Sequence, residues 1–109
     1  SKMMDHKITV DEVVARSVKI RERYHELERI NHHAEWTVQE DALAFLSDAG
    51  LVGRLVMAQT GKWLHKGDAQ QELQHKLGEC VWWLAIIANE LDMDLTEATQ
   101  YFLDKAEKI

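Results

Sequence analysis

The sequence lacks proline altogether and contains only one cysteine and five glycines among its 109 residues. A single cysteine excludes an intrachain disulfide and a cysteine-rich zinc site. The scarcity of proline and glycine argues against architectures of short strands joined by tight turns, because such turns rely on both residues. Long helices are the class of structure that remains. The length fits one domain over residues 1–109, in which we expect residues 1–8 to be a flexible N-terminal segment.

Positive charge is also in short supply. The 13 lysines and arginines face 19 aspartates and glutamates, which gives a formal net charge of −6 at pH 7. An acidic chain is poorly suited to the phosphate backbone of nucleic acids and to anionic membrane surfaces. No apolar run approaches the roughly 18 residues of a membrane span, and the first residues lack the apolar core of a signal peptide. We therefore expect a cytoplasmic protein that binds neither nucleic acid nor membrane.

Four capping signals divide the chain into four predicted helices. In each signal a threonine or aspartate is followed three residues later by glutamate or glutamine, a pair that satisfies free N–H groups at a helix start. The four pairs are Thr9–Glu12, Thr37–Glu40, Asp68–Gln71 and Asp94–Glu97. The predicted helices run from Val10 to about Asn31, from Val38 to about Thr60, from Ala69 to about Leu91 and from Leu95 to about Lys108. The sequence therefore predicts an all-α, four-helix bundle.

Apolar residues on the first and third predicted helices recur at heptad spacing. Val13, Ile20 and Leu27, with Val10, Ser17 and Tyr24 between them, form a seam on the first helix. The third helix carries the broadest apolar stripe, which predicts that it is the most buried of the four. Broad apolar faces on helices of unequal length leave surface for a partner, so we expect oligomerisation, as a homodimer or homotetramer, to complete the bundle.

The second predicted helix has an apolar face that contains two glycines. Its members are Leu43, Leu46, Gly50, Gly53 and Met57. Glycine lowers helix propensity, so the two glycines either permit the close approach of a neighbouring backbone or ligand or are simply tolerated.

The region of the second and third helices resembles a known family. The residues that carry the resemblance are Trp36-Thr37, Leu46-Ser47-Asp48-Ala49-Gly50-Leu51, Trp63-Leu64-His65-Lys66-Gly67, Leu77-Gly78-Glu79-Cys80-Val81-Trp82-Trp83-Leu84 and Ala88-Asn89-Glu90-Leu91-Asp92-Met93-Asp94-Leu95. Together they are similar to the MazG-like nucleotide pyrophosphohydrolases of the all-α NTP pyrophosphatase group. The resemblance implies a MazG-like fold and the hydrolysis of a ribo- or deoxyribonucleoside triphosphate to a monophosphate and pyrophosphate.

The resemblance also implies a metal cofactor, Mg²⁺ or Mn²⁺. The family supplies carboxylates from two facing helices, through E-E-x-x-E on one and E-x-x-D on the other, and such oxygens suit Mg²⁺. Positions 48, 51, 76 and 79 of this chain match the four ligand positions. Asp48 and Glu79 keep a carboxylate and are the predicted metal ligands, whereas Leu51 and Lys76 replace the other two.

The lysine at position 76 leaves two functions open. In one, Asp48, Glu79 and waters hold the metal ion and the protein is a pyrophosphohydrolase. In the other, the Lys76 ammonium stands in for the metal charge, and the chain is a catalytically inactive module for nucleotide sensing or protein interaction. Glu72 precedes Lys76 by four residues, an orientation that predicts an ion pair between the two side chains. No catalytic residue is assigned.

Five residues are candidates for contact with the nucleotide: Trp36, Trp63, Lys76, Trp83 and Asn89. Trp36 and Trp63 lie in predicted loops, which often carry binding residues. Trp83 follows Glu79 by one turn, and Asn89 matches a helix-end asparagine of the family. Each has a structural alternative, because tryptophan also fills bundle cores and interfaces and asparagine is common at the surface. The six histidines show no zinc-ligand pattern.

Overall fold

The computed structural model describes residues 6–109, which form four α-helices and, within that range, no strand. Helix α1 spans Val10–His32, α2 spans Val38–Gln59, α3 spans Ala69–Glu90 and α4 spans Leu95–Ala106. All four helices begin at the predicted residue and end within about two residues of the predicted end. The prediction of an all-α protein with four helices is confirmed. Most of the predicted flexible segment, residues 1–5, lies outside the described residues.

Local hydrogen bonds at the helix starts explain this agreement. The Thr9 and Thr37 hydroxyls each accept from the backbone N–H three residues later, and the glutamate at that position accepts from the threonine's own N–H. Asp68 and Asp94 accept in the same way from the backbone N–H three residues later. Each cap satisfies a donor that the helix leaves free, so neighbouring residues alone fix where each helix begins.

Helix α3 occupies the centre of the fold and packs against each of the other three helices. Its C-terminal half supplies most of the buried apolar side chains, namely Trp83, Ala85 and Ile86, and α2 adds Leu55. This core is small for four helices, and Phe102 of α4 is among many large apolar side chains that remain exposed. None of the described helices is both long and apolar enough to cross a membrane.

Helix α1 turns a different face to the bundle from the one its apolar spacing predicts. Ser17 of the predicted seam is buried, but Ile20 and Leu27 are about half exposed and Arg21 is buried in their place. Arg21 forms an ion pair with Asp41 of α2, which is fully buried. From Arg21 onward the helix therefore turns inward the residue next to each predicted position, because the ion pair must face inward. Apolar periodicity does not encode such a pair.

Candidate functional site

The candidate site is built around a lysine that bridges two carboxylates. Asp48 lies on the face of α2 that meets α3, and Lys76 and Glu79 lie one turn apart on α3. Lys76 Nζ donates to Asp48 Oδ1 at 3.1 Å and to Glu79 Oε1 at 2.8 Å. All three side chains are largely shielded from solvent. The structure thus brings together both predicted metal ligands and the lysine between them.

The second oxygen of Asp48 is also engaged. Trp83 follows Glu79 by one turn of α3, and its indole Nε1–H donates to Asp48 Oδ2 at 2.7 Å. One oxygen of the Asp48 carboxylate therefore accepts from an ammonium and the other from an indole. These two bonds fix the orientation of the carboxylate and hold the Trp83 ring against the α2–α3 contact.

Nearby charges shift two pKa values in this cluster. The hydrogen bond to Glu79 raises the pKa of Lys76, and the bond to Asp48 adds to this against the lowering effect of burial. Burial raises the pKa of the Cys80 thiol, and the Asp48 and Glu79 carboxylates raise it further. Lys76 is therefore a permanent cation at neutral pH. Cys80 is an uncharged thiol, which is a poor nucleophile.

The residues of this cluster do not fit a Mg²⁺ site. A divalent cation would need the same carboxylate oxygens that Lys76 and Trp83 engage, and the positive ammonium would repel it at close range. Across residues 6–109, no three His, Cys, Asp or Glu side chains are arranged to hold a metal ion. The fourth family position, Leu51, offers only an apolar side chain.

An aromatic groove borders the cluster on the side of α1. It has a volume of about 820 Å³ and is open to solvent. The Trp36 ring stacks on that of Trp83, with centroids 6.4 Å apart and planes 16° apart, and Tyr24 meets Trp82 edge to face at 6.0 Å. The polar side chains in the lining are Arg21, Glu28, Gln71, Gln74, His75 and Glu79. Flat apolar rings with a few polar groups at the edge suit a planar, heteroaromatic ligand.

A second cavity of about 700 Å³ lies on the other side of Lys76, between α2, α3 and the loop that joins them. Its basic lining groups are Lys76, Arg54, His65 and His75. Gln71 and His75 line both this cavity and the aromatic groove, so the two spaces adjoin along α3. Asp68 and Glu72 also line the cavity, and Arg54 is the lining cation without a carboxylate partner among residues 6–109, so Arg54 is the group available to an anion attached to a flat ring.

The predicted pairing of Glu72 with Lys76 is wrong. His65 Nε2 lies 2.7 Å from Glu72 Oε2, while Lys76 turns to Asp48 and Glu79. The loop between α2 and α3 folds back onto the first turns of α3 and brings His65 within reach of Glu72. The partially buried carboxylate of Asp48 is a stronger partner for Lys76 than an exposed one on the same helix.

Two of the predicted nucleotide-binding residues do not line the aromatic groove. Trp63 packs against Arg54, whose guanidinium carbon lies 4.6 Å from the ring centroid, and it does not line the aromatic groove. Asn89 is near the C-terminal end of α3 and lines a separate cavity between α1 and the start of α4. The structure therefore groups Trp36, Lys76 and Trp83, and it separates Trp63 and Asn89 from them.

A chain of polar side chains beneath the groove was not predicted. Arg21 donates to the buried Asp41, and its Nε donates to His25 Nε2 at 2.9 Å. On the other side of the same ring, His25 Nδ1 lies 3.1 Å from Glu28 Oε1. Glu28 accepts the backbone N–H of Trp36 at 2.9 Å, so the chain ends at the stacked tryptophan. The only sequence signal was the spacing of Arg21, His25 and Glu28 along one helix face.

The pKa of Glu28 reflects its place in this chain. Burial acts to raise that pKa, but the Trp36 N–H and His25 outweigh burial and lower it below its ordinary value. Glu28 is therefore ionised at neutral pH and remains a strong acceptor for Trp36. The bond from the Trp36 N–H to Glu28 thus positions Trp36, which forms the outer wall of the groove.

Comparison of the chain with family models, with curated proteins and with solved structures finds no match. The resemblance to the MazG-like nucleotide pyrophosphohydrolases therefore rests on the quoted sequence segments and stays a prediction.

Proposed function

We propose that the protein is a helical module that binds a nucleotide without a metal ion and without hydrolysing it. The observation that carries the proposal is the Lys76 ammonium, held between Asp48 and Glu79 beside an aromatic groove. Hydrolysis of a phosphoanhydride in the MazG-like manner needs a divalent cation that polarises the phosphoryl oxygens and activates water. Lys76 supplies a fixed positive charge at that place but engages the oxygens such a cation would need.

The two adjoining cavities match the two parts of a nucleotide. The aromatic groove offers the Trp36 and Trp83 rings to a base, and stacking of a base on an aromatic side chain contributes about 1–3 kcal/mol. The second cavity offers the phosphates the Arg54 guanidinium and the one N–H of Lys76 that neither Asp48 nor Glu79 engages, although Asp68 and Glu72 also line it. The groove is open to solvent.

Replacing Trp36 with alanine is expected to weaken nucleotide binding. The measurement is the Kd for each of a panel of ribo- and deoxyribonucleoside triphosphates, determined in EDTA by isothermal titration calorimetry. Loss of one stacking surface should raise the Kd by roughly 5- to 150-fold. The control is Tyr101→Ala, because Tyr101 is an exposed aromatic residue of α4 that lines neither cavity, whereas Trp36 lines the groove. Equal Kd values for Trp36→Ala and the unmodified protein would refute this placement of the ligand.

A second candidate function is the predicted pyrophosphohydrolase. The observation in its favour is the convergence of Asp48 and Glu79, each with an oxygen within 3.1 Å of one atom, Lys76 Nζ. The same carboxylates would meet a metal ion if Lys76 swung away.

Pyrophosphate release separates the two candidate functions. The assay incubates the nucleotide panel with the protein and with Glu79→Gln, in Mg²⁺ and in Mn²⁺. We expect no release above the buffer rate with either protein. Release by the unmodified protein that Glu79→Gln abolishes would establish the enzyme and reject the metal-free module.

Membership of the MazG-like family and a cytoplasmic location are part of the same proposal. The quoted sequence segments support the first. The single cysteine, which allows no disulfide within the chain, is in keeping with the second.

A further inference from the structure

The aromatic groove and the second cavity meet near the start of α3. Gln71 and His75 line both spaces and lie about one turn apart on that helix. Trp36 and Trp83 lie on the groove side of this junction, and Arg54 lies on the cavity side. A nucleotide with its base in the groove and its phosphates in the cavity must therefore place its sugar at Gln71 and His75.

The cap of α3 fixes the position of Gln71 at this junction. Asp68 is the N-cap residue, and its Oδ1 accepts from the Gln71 backbone N–H at 3.1 Å. The Gln71 side chain is exposed, and its amide makes no hydrogen bond to another group within residues 6–109. The backbone is therefore held in place while the amide oxygen and the NH₂ group remain available to a ligand.

His75 is less suited than Gln71 to bind two neighbouring hydroxyl groups. The two nitrogens of an imidazole point to different sides of the ring, so one ring binds adjacent groups one at a time. His75 Nε2 also lies 3.8 Å from Glu79 Oε1, on the side of a carboxylate that attracts its N–H. Gln71 is therefore the residue at the junction that can bind two adjacent polar groups together.

A side-chain amide and a pair of adjacent hydroxyls complement each other. The amide oxygen accepts one hydrogen bond while the NH₂ group donates another, and each hydroxyl can both donate and accept. Ribose has such a pair in its 2′- and 3′-hydroxyls. Deoxyribose lacks the 2′-hydroxyl, which is the group by which proteins distinguish the two sugars. With deoxyribose, one side of the amide would have no partner in the ligand.

We infer that the Gln71 amide binds the 2′- and 3′-hydroxyls of a ribose and thereby selects ribonucleotides over deoxyribonucleotides. The inference rests on the proposed function and adds the class of nucleotide that the site takes. The net contribution of one hydrogen bond corresponds to a preference of about 3- to 12-fold in Kd. The factor stays in this range because Gln71 is exposed, so water can take the place of the missing hydroxyl.

Paired Kd values for nucleotides with the same base test this selection. Isothermal titration calorimetry in EDTA compares each ribonucleoside triphosphate with its 2′-deoxy counterpart, and we expect the ribonucleotide to bind about 3- to 12-fold more tightly. Gln71→Met keeps the length of the side chain and removes the amide, so it should bring the two Kd values within about 1.5-fold of each other. Gln70→Met is the matched control, because Gln70 is the adjacent exposed glutamine of α3 and lines neither cavity. It should leave the preference unchanged.

The outcomes of this experiment distinguish the inference from the proposed function. Absence of binding by every nucleotide would reject both. Binding with equal Kd values for the two sugars, or with tighter binding of the deoxyribonucleotide, would overturn the selection by Gln71 and leave the nucleotide site standing. A ribose preference that persists in Gln71→Met, or that disappears in Gln70→Met, would overturn it as well. Far-ultraviolet circular dichroism checks that both variants are folded.

Discussion

Replacing Lys76 with glutamate is expected to convert the cluster into a metal site and to make the stability of the protein metal-dependent. The substitution brings a third carboxylate to the point where Asp48 and Glu79 converge. Without metal, three acidic groups share a partly buried space, and we expect a loss of roughly 2 kcal/mol, between the values for exposed and for buried ion pairs. A cation at about 100 times its Kd then adds about 2.7 kcal/mol of stability.

Thermal unfolding in EDTA and in Mn²⁺ measures this effect. The Tm of Lys76→Glu should rise by at least about 10 °C on addition of Mn²⁺, because 1 kcal/mol corresponds to about 4–8 °C for a domain of this size. The unmodified protein should show the same Tm in both buffers. Lys76→Gln is the matched control: it removes the ammonium without adding a carboxylate, so it should lose stability and gain little from the metal. A comparable Mn²⁺-induced rise in the Tm of the unmodified protein would show that Lys76 does not replace the cation.

Removing Arg21 is expected to destabilise the fold more than any other single charge change. Asp41 is fully buried, and its Oδ2 has no hydrogen-bond partner among residues 6–109, so Arg21 is the main compensation for its charge. Breaking a buried pair on one side costs about 3–5 kcal/mol, because it leaves a charge without a partner. The double variant Arg21→Met/Asp41→Leu should recover most of this loss, since it removes both charges and retains apolar volume.

The stability lost on removal of Arg21 should depend on pH, in a direction set by the burial of Asp41. Burial raises the pKa of Asp41 above its ordinary value, and Arg21 only partly opposes this. A carboxyl with a raised pKa favours the folded state below its unfolded pKa, and that contribution is lost as pH rises through its folded pKa. Urea unfolding of Arg21→Met should therefore show a smaller deficit at about pH 4 than at about pH 8. The same deficit at both values would mean that the Asp41 charge is not its cause.

The sequence predicts the helices well because their limits depend on neighbouring residues. Thr9 and Thr37 cap their helices through residues three positions away, and no distant contact is needed. The convergence of Asp48 and Glu79 was also predictable, because the family resemblance aligns two helix faces. Contacts that depend on how helices rotate against each other were not predictable.

Arg21 makes a contact that depends on how two helices rotate against each other. Its partner, Asp41, is on another helix and also faces inward. On α1 itself, Arg21 faces inward where apolar spacing predicts Ile20 and Leu27. Apolar periodicity assigns charged residues to the solvent-facing side of a helix. It therefore misses two buried residues whose opposite charges compensate each other. The predicted partner of Glu72 is wrong for a related reason. Helix spacing predicts an ion pair with Lys76, whereas the fold of the α2–α3 loop brings His65 close to Glu72.

We propose that Lys76 supplies a positive charge to the site, so that nucleotide binding needs no metal ion. Titration of the unmodified protein with the nucleoside triphosphate panel, in EDTA and again in Mg²⁺, followed by tryptophan fluorescence, tests it most directly. Trp36 and Trp83 line the groove and should report occupancy. We expect saturable quenching in EDTA, with a Kd in Mg²⁺ that differs by no more than about threefold. Quenching that appears only when Mg²⁺ is added would contradict it.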